Sequence, residues 1–215
     1  MSGPEISAVE PEAALRAGST DLGVPLDERQ VGQLMTLVGE LAQWNERFNL
    51  TAIRDPLEVV RKHLLDSLTV QPWLQGRRVA DVGTGAGFPG LPLAVVNPGR
   101  QFALIESTGK KARFVEYAAS RLGLANVEVV NARAEAFDPR LPFDSVVCRA
   151  VGKLADFVRF AGHLCAPGGR LIAMKGQYPR EELEDLPRGW RAVAIHPVAV
   201  PGLEAERHIV ELART

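Results

Sequence analysis

The residues best suited to chemistry gather behind one short apolar stretch. Val79, Ala80, Asp81 and Val82 read as a strand, and Gly83, Gly85, Gly87 and Gly90 follow before an apolar, helix-like segment that can begin at Pro89. Glycine allows positive φ and close approach of backbone to a ligand, and a helix start offers unpaired N–H groups. Because each glycine also carries an entropic cost, so dense a set implies more than a simple turn. A strand feeding such a turn into a helix is a device for cradling nucleotides.

Two ligands compete for this loop. Gly85, Gly87 and Gly90 spell G-x-G-x-x-G, the dinucleotide fingerprint of a nicotinamide-dependent (NAD) oxidoreductase. Read from Asp81, the same residues spell D-x-G-x-G-x-G, as in the first motif of class I S-adenosylmethionine methyltransferases. Charge separates the readings. A dinucleotide brings a pyrophosphate, which Asp81 would repel; S-adenosylmethionine brings an ammonium and a sulfonium, which a carboxylate favours. The methyl donor is therefore the expected ligand.

Composition sets the bounds. The chain has 215 residues, 46% hydrophobic and 24% charged, as expected of a globular α/β domain with an extension. No uncharged apolar run approaches the ~20 residues a membrane helix needs, and no signal peptide is evident, so a cytoplasmic protein is expected. Cys148 and Cys165 lie in apolar surroundings without C-x-x-C spacing, which reads as two buried thiols rather than a disulfide or a zinc site. Net charge is −1, but residues 1–30 hold six acids against two bases, leaving 20 acids and 23 bases in the remainder. That permits a local basic face.

The elements that must position the loop follow from the pattern. Residues 1–20 read as a flexible tail, 21–75 as an N-terminal helical extension and 76–215 as a Rossmann-like domain. In the extension, Asp27 with Gln30 forms a capping box for a helix reaching about Trp44, and Asp55-Pro56 opens a second helix with Val59, Val60, Leu64, Leu65 and Leu68 as its buried stripe. From residue 77 strands and helices alternate, predicting a mostly parallel sheet. Strands are expected at 79–82, 102–107, 127–135, 143–151 and 170–176, the last after a Gly168-Gly169 turn. Helices are expected over 110–124 and 156–164. Residues 190–200 and 207–213 read as an antiparallel hairpin at the sheet edge, where Pro197 and Pro201 are tolerated.

In such sheets ligands lie beyond the carboxyl ends of the strands. Glu106 stands where an acid accepts both ribose hydroxyls, and Ala134 and Glu135 border the adenine. Arg149 ends an apolar strand, where a charge needs a partner: the donor's carboxylate, Asp81 or the substrate. Lys175 and Arg207 are candidates for contact with a base or a phosphate. Asn45, Asn49, His63 and Asp66 hold polar groups among apolar ones, either as the wall facing a target base or as partners of backbone groups where the extension docks.

In order along the chain, WNERFNLT, HLLDSL, DVGTGAGFPGLPLA, IES-x-x-KK-x-x-F, RAE, CRA, MKGQ and GLEAERHIV resemble the RsmG (GidB) family of bacterial small-subunit ribosomal RNA methyltransferases. The resemblance runs from about residue 27 to the end. It implies a class I methyltransferase fold with a helical extension, and transfer of methyl from S-adenosylmethionine to N7 of one guanine in the decoding region of 16S ribosomal RNA, within the small subunit or an assembly intermediate. A monomer is expected. By matching motif it implies that Gly83, Gly85, Phe88, Glu106, Ala134, Glu135 and Arg149 hold the donor. Many relatives have Ser in place of Thr84 and Asp in place of Glu106, and the longer acid alters the ribose geometry. A methyltransferase of the same fold acting on another RNA site is the alternative.

The rest of the chain agrees with that chemistry. Methylating an exocyclic base amine calls for a D/N-P-P-Y-type clamp, where this chain reads CRAV, and methylating a pyrimidine carbon calls for a cysteine nucleophile, whereas Cys148 is expected to face the core. Guanine N7 already owns an in-plane lone pair, so no catalytic base is expected.

Overall fold

Asp27 starts the longest helix because its carboxylate accepts the Gln30 N–H at 2.7 Å while the Gln30 side chain accepts the Asp27 N–H at 2.9 Å. In the computed structural model, which describes residues 9–215, this helix, α2 (Glu28–Phe48), runs one turn beyond Trp44. It stops at Asn49, whose φ of 48° is the left-handed conformation that asparagine tolerates.

The tail expected up to residue 20 is corrected: Pro11–Asp21 forms helix α1. Its composition suggested disorder, but Leu15 and Ser19 are buried, and a Cβ on Gly18 would lie 2.5 Å from Leu65. Tertiary docking overrides the local signal here. Residues 1–8 of that expected tail lie outside the described residues.

Asp55 accepts the Glu58 N–H and starts α3 (Pro56–Val59), which continues through a π-helical segment (Val60–Leu65) into α4 (Asp66–Leu68). The expected stripe of Val59, Val60, Leu64, Leu65 and Leu68 is buried.

Seven strands form one sheet: β1 (Arg78–Val82), β2 (Gln101–Ile105), β3 (Val127–Val130), β4 (Phe143–Arg149), β5 (Cys165–Lys175), β6 (Trp190–Pro197) and β7 (His208–Arg214), in the order β3-β2-β1-β4-β5-β7-β6. The first five are parallel, and β7 is antiparallel to both β5 and β6. The C-terminal hairpin therefore puts only β6 on the edge. Pro197 ends that edge strand, where its missing N–H leaves no gap in a central ladder.

Several expected boundaries move, three of them informatively. The third strand ends at Val130, and Ala134–Ala136 is a 3₁₀ turn. The fifth strand starts at Cys165, taking Gly168 and Gly169 inside it: pairing jumps from Phe143↔Cys165 to Ser145↔Arg170, and a Cβ on Gly169 would lie 2.8 Å from the Asp144 carbonyl oxygen. The helix after β4 starts earlier, as α7 below. Among the remaining helices, α5 (Gly90–Val96), α6 (Gly109–Arg121), α7 (Leu154–Ala161) and α8 (Arg180–Glu184) follow strands or loops of the sheet domain.

Successive strand residues face opposite apolar layers. Val79, Leu104 and Ile172 join a layer continued by Leu15, Leu34 and Leu64 of the extension; Ala80, Val146 and Leu171 join a layer with Phe157. Strand order reverses between β1 and β4, so the glycine loop and Arg149 lie together at the switch point, where open α/β sheets bind ligands. Among the described residues no helix is long and apolar enough to cross a membrane.

Candidate active site

The glycine loop is braced from beneath. Asp81, 1% exposed, accepts the Thr84 hydroxyl at 2.6 Å and the Gly90 N–H at 2.8 Å, both on Oδ2. The N–H groups of Gly83 and Thr84 donate to the Ile105 carbonyl, locking the loop onto β2. The four glycines divide by purpose. A Cβ on Gly87 would lie 2.3 Å from Leu91, and one on Gly90 2.2 Å from Leu104, so packing demands those two. Gly83 and Gly85 have φ of 68° and 62°, yet a Cβ on Gly83 would meet nothing within 4 Å and one on Gly85 only the Gly83 carbonyl at 3.9 Å. The backbone there borders open space of the kind a bound ligand fills.

Asp81 itself lies under the loop. Its Oδ1 is buried without a hydrogen-bond partner, and burial pushes the carboxyl up to about 6 against the opposing pull of Thr84, Gly90 and Arg149. An anion laid on this loop would be repelled by a buried carboxylate, whereas a cation or an N–H donor would be attracted.

Glu106, at the end of β2, is also buried, and both its oxygens are engaged. Oε2 accepts the Gly85 N–H at 2.9 Å and Oε1 the Thr108 N–H at 2.7 Å. Each carboxylate oxygen keeps acceptor capacity for a second donor. A cleft of about 340 Å³ opens alongside, and its lining includes Gly83, Ile105, Ser107, Ala134 and Glu135. The cleft thus gathers Gly83, Ala134 and Glu135, Ala134 buried in its wall and Glu135 exposed at its lip, while Glu106, between the lining residues Ile105 and Ser107, holds Gly85.

Phe88 faces the extension instead. It is 1% exposed, stacks on His63 with ring centroids 4.6 Å apart, and has the Arg149 guanidinium 5.5 Å from its centroid. Arg149 Nη1 donates to the Lys62 carbonyl and meets His63 Nδ1, both at 3.1 Å. His63 Nδ1 also lies 3.1 Å from the Lys62 carbonyl, and Nε2 lies 3.0 Å from Thr51 Oγ1, so both ring nitrogens are engaged. Asp66, 4% exposed, joins Arg207 Nε at 2.9 Å and Arg149 Nη1 at 3.6 Å. His63 and the Lys62 carbonyl sit in the π segment, with Asp66 just after it, a distortion often found at functional sites. Ala150, next to Arg149, has a φ of 58°, an uncommon conformation for a residue with a side chain.

Several expected contacts are corrected. Asn45 does not face the site: its amide donates to the Thr51 carbonyl and its Oδ1 accepts the Thr51 N–H, making it a brace for the junction. Lys175 turns inward, its ammonium donating to the Val151 and Gly152 carbonyls and pairing with Glu182, so its three donors are already used. Arg207 stays at the rim, with Nε on Asp66 and Nη1 on the Glu206 carbonyl. Thr51, which links Asn45 to His63, was missed as a site residue although it ends the WNERFNLT stretch. Cys148 packs in the core, and burial pushes its thiol up to about 12, away from any thiolate role.

His63 has a pH consequence. Burial, aided by the Arg149 charge, pulls it down to about 4 from an ordinary 6.5. A proton therefore binds the unfolded chain more tightly, so the stability this histidine contributes is complete above about 6.5 and is lost as pH falls toward 4. Asp81 has the opposite sign: its raised value favours the fold below 3.8, and that advantage fades as pH rises through about 6. Urea unfolding at pH 8 and pH 5 should show a loss about 2 kcal/mol larger in the parent than in His63→Asn. Equal losses would show that protonating this ring costs the fold nothing.

The sheet and loop match known proteins. The glycopeptide N-methyltransferase MtfA, solved with S-adenosylhomocysteine, aligns over 71% of this chain and 87% of its own with a TM-score of 0.60 at 12% identity. TrmN from Thermus thermophilus aligns over 80% of this chain and 53% of its own with a TM-score of 0.57 at 23% identity. These likenesses concern fold. Closer relatives are named ribosomal RNA small subunit methyltransferase G: one from Nitrosococcus oceani is 47% identical over 94% of both chains, and one from Stenotrophomonas maltophilia 49% identical over 92% of both. The family model for rRNA small subunit methyltransferase G (GidB) matches residues 30–210, and with it the chain belongs to that family.

Proposed function

We propose that this protein transfers a methyl group from S-adenosylmethionine to N7 of a guanine in the decoding region of 16S ribosomal RNA, acting in the cytoplasm as a monomer on the small subunit or its precursor. The observation that carries the reading is the pair Gly83 and Gly85, whose backbone borders open space while Glu106 buttresses it from the next strand. Family membership supports the ribosomal RNA target.

The residues fit the donor. S-adenosylmethionine supplies an electrophilic methyl carried on a sulfonium. Gly83 and Gly85 leave it room, and Glu106 accepts the ribose hydroxyls on the lone pairs its backbone contacts leave free. Ala134 and Glu135 border the adenine. Arg149, held by Asp66 and the Lys62 carbonyl, faces the donor's carboxylate, with Phe88 fixed beneath it by His63. Asp81 under the loop disfavours a dinucleotide, whose pyrophosphate would bring a second negative charge there.

What these side chains then do is align. The N7 lone pair forms the new bond to carbon as the sulfur–carbon pair returns to sulfur, and no proton leaves N7. A catalytic base has no part in that step, and neither His63, engaged at both nitrogens, nor the buried Cys148 has to supply one. In-line positioning supplies the rate. The test is methyl transfer to 30S subunits and to naked 16S RNA, followed by nuclease digestion and mass spectrometry. N7-methylguanosine at one position is expected, whereas methyl on an exocyclic amine or a ring carbon, or no transfer to either substrate, overturns the proposal.

A further inference from the structure

Away from the cleft, the carboxyl end of α2 and one face of α6 share an aromatic surface. Trp44 packs on Phe48, Tyr117 and Phe114 with centroids 5.3, 5.2 and 5.5 Å apart. Phe114 is buried, but Phe48 and Tyr117 are 38% and 37% exposed, two of the six large exposed hydrophobics among the described residues. Both rings pack on Trp44 yet leave more than a third of their surface in water, on two neighbouring helices. Charge around them is mainly positive: Arg47, Lys110 and Arg113 are exposed and Lys111 half-buried, against Glu46, Glu116 and Glu40, the last beside the Tyr117 hydroxyl and paired with Arg121. None of the four bases forms an ion pair among the described residues. Lys110 and Lys111 also sit in the first turn of α6 with no acid beside them, where the helix dipole disfavours a cation. The surface adjoins the reaction rim, since α6 begins three residues after Glu106 and α2 ends three residues before Thr51.

From this juxtaposition of exposed rings and unpaired bases we infer that the α2–α6 surface docks an unpaired segment of the RNA substrate, with bases stacked on Phe48 and Tyr117 and phosphates on Arg47, Lys110 and Arg113. Stacking on aromatics with flanking cations is how proteins hold single strands, whereas duplex is read by shape and backbone. The inference rests on the RNA reading above and adds to it a second contact that carries affinity and no chemistry.

The test uses the full chain. With 30S subunits, Phe48→Ala combined with Tyr117→Ala should raise KM about tenfold or more while kcat and S-adenosylmethionine binding hold, and Phe48→Trp should retain affinity. Thermal unfolding and donor binding check that each variant folds. Arg47→Gln with Arg113→Gln should weaken binding of a labelled oligouridylate and flatten its salt dependence by about one to two in log–log slope, while an RNA duplex of equal length competes poorly. Unchanged KM and oligouridylate affinity in folded variants would overturn the inference. Loss on subunits with unchanged oligouridylate binding would also overturn it, assigning the surface to a ribosomal protein. Absence of methyl transfer by the parent would instead count against the proposed reaction, leaving the oligouridylate measurement to judge this surface.

Discussion

Gly85→Asp is expected to fold and to transfer no measurable methyl. The fold survives because aspartate is among the few residues that visit positive φ, and the space beyond the Gly85 Cα holds no atom closer than the Gly83 carbonyl at 3.9 Å. That same space is where the donor would lie. A carboxylate placed there fills it and sets a second negative charge beside Glu106, whose Oε2 is held on the Gly85 N–H. Loss of the ribose contacts alone, at about 1.5–3 kcal/mol for a hydrogen bond to a charged group, is ten- to hundredfold in affinity, and steric exclusion adds to it. Equilibrium binding of S-adenosylmethionine, a transfer assay and a melting curve on one preparation decide the matter. Transfer at the parent rate would contradict the placement of the donor over this loop.

Gly90 shows why the four glycines must not be treated alike. No side chain fits there, because Leu104 and Asp81 already occupy the position. The motif spacing marks both glycines equally, and only packing tells a ligand glycine from a structural one. The loop, its acid and the strand-end positions of Glu106 and Arg149 were legible because a strand, a turn and a helix carry strong local signals. Much of what holds Arg149 was not. Phe88, His63, Thr51 and Asp66 converge from separate segments, and no local pattern shows a ring stacking on a histidine 25 positions away. Lys175 misled for the same reason: a base at a strand end looks free until the Val151 and Gly152 carbonyls and Glu182 are seen to close on it. For Asn45 the residues alone favour a brace and the family resemblance a wall, and its paired bonds to Thr51 make it the brace. The helix α1 escaped because Leu15 is its main apolar anchor, too little for a periodic signal but enough once Leu65 lies against it.

Asp66 carries the second large effect, this one on stability. Two guanidinium groups converge on it at 2.9 and 3.6 Å, its own side chain is 5% exposed, and the arginines are 27% and 23% exposed. Removing one partner of a buried ion pair leaves the remaining charge uncompensated, at about 3–5 kcal/mol. Asp66→Asn keeps the shape and strips the charge from beneath two cations at once, although their partial exposure places the expected loss near the lower figure. Arg207→Gln leaves Asp66 with Arg149 and should cost less, about 1 kcal/mol. Urea unfolding of the two single variants and the double variant resolves the coupling, since the double should fall well short of the sum. Function should follow stability through one atom set: with Asp66 neutral, Arg149 keeps only the Lys62 carbonyl and His63, so donor affinity falls even where the fold persists. A variant within about 0.5 kcal/mol of the parent, with donor binding intact, would mean that Asp66 neither anchors the extension nor aims Arg149.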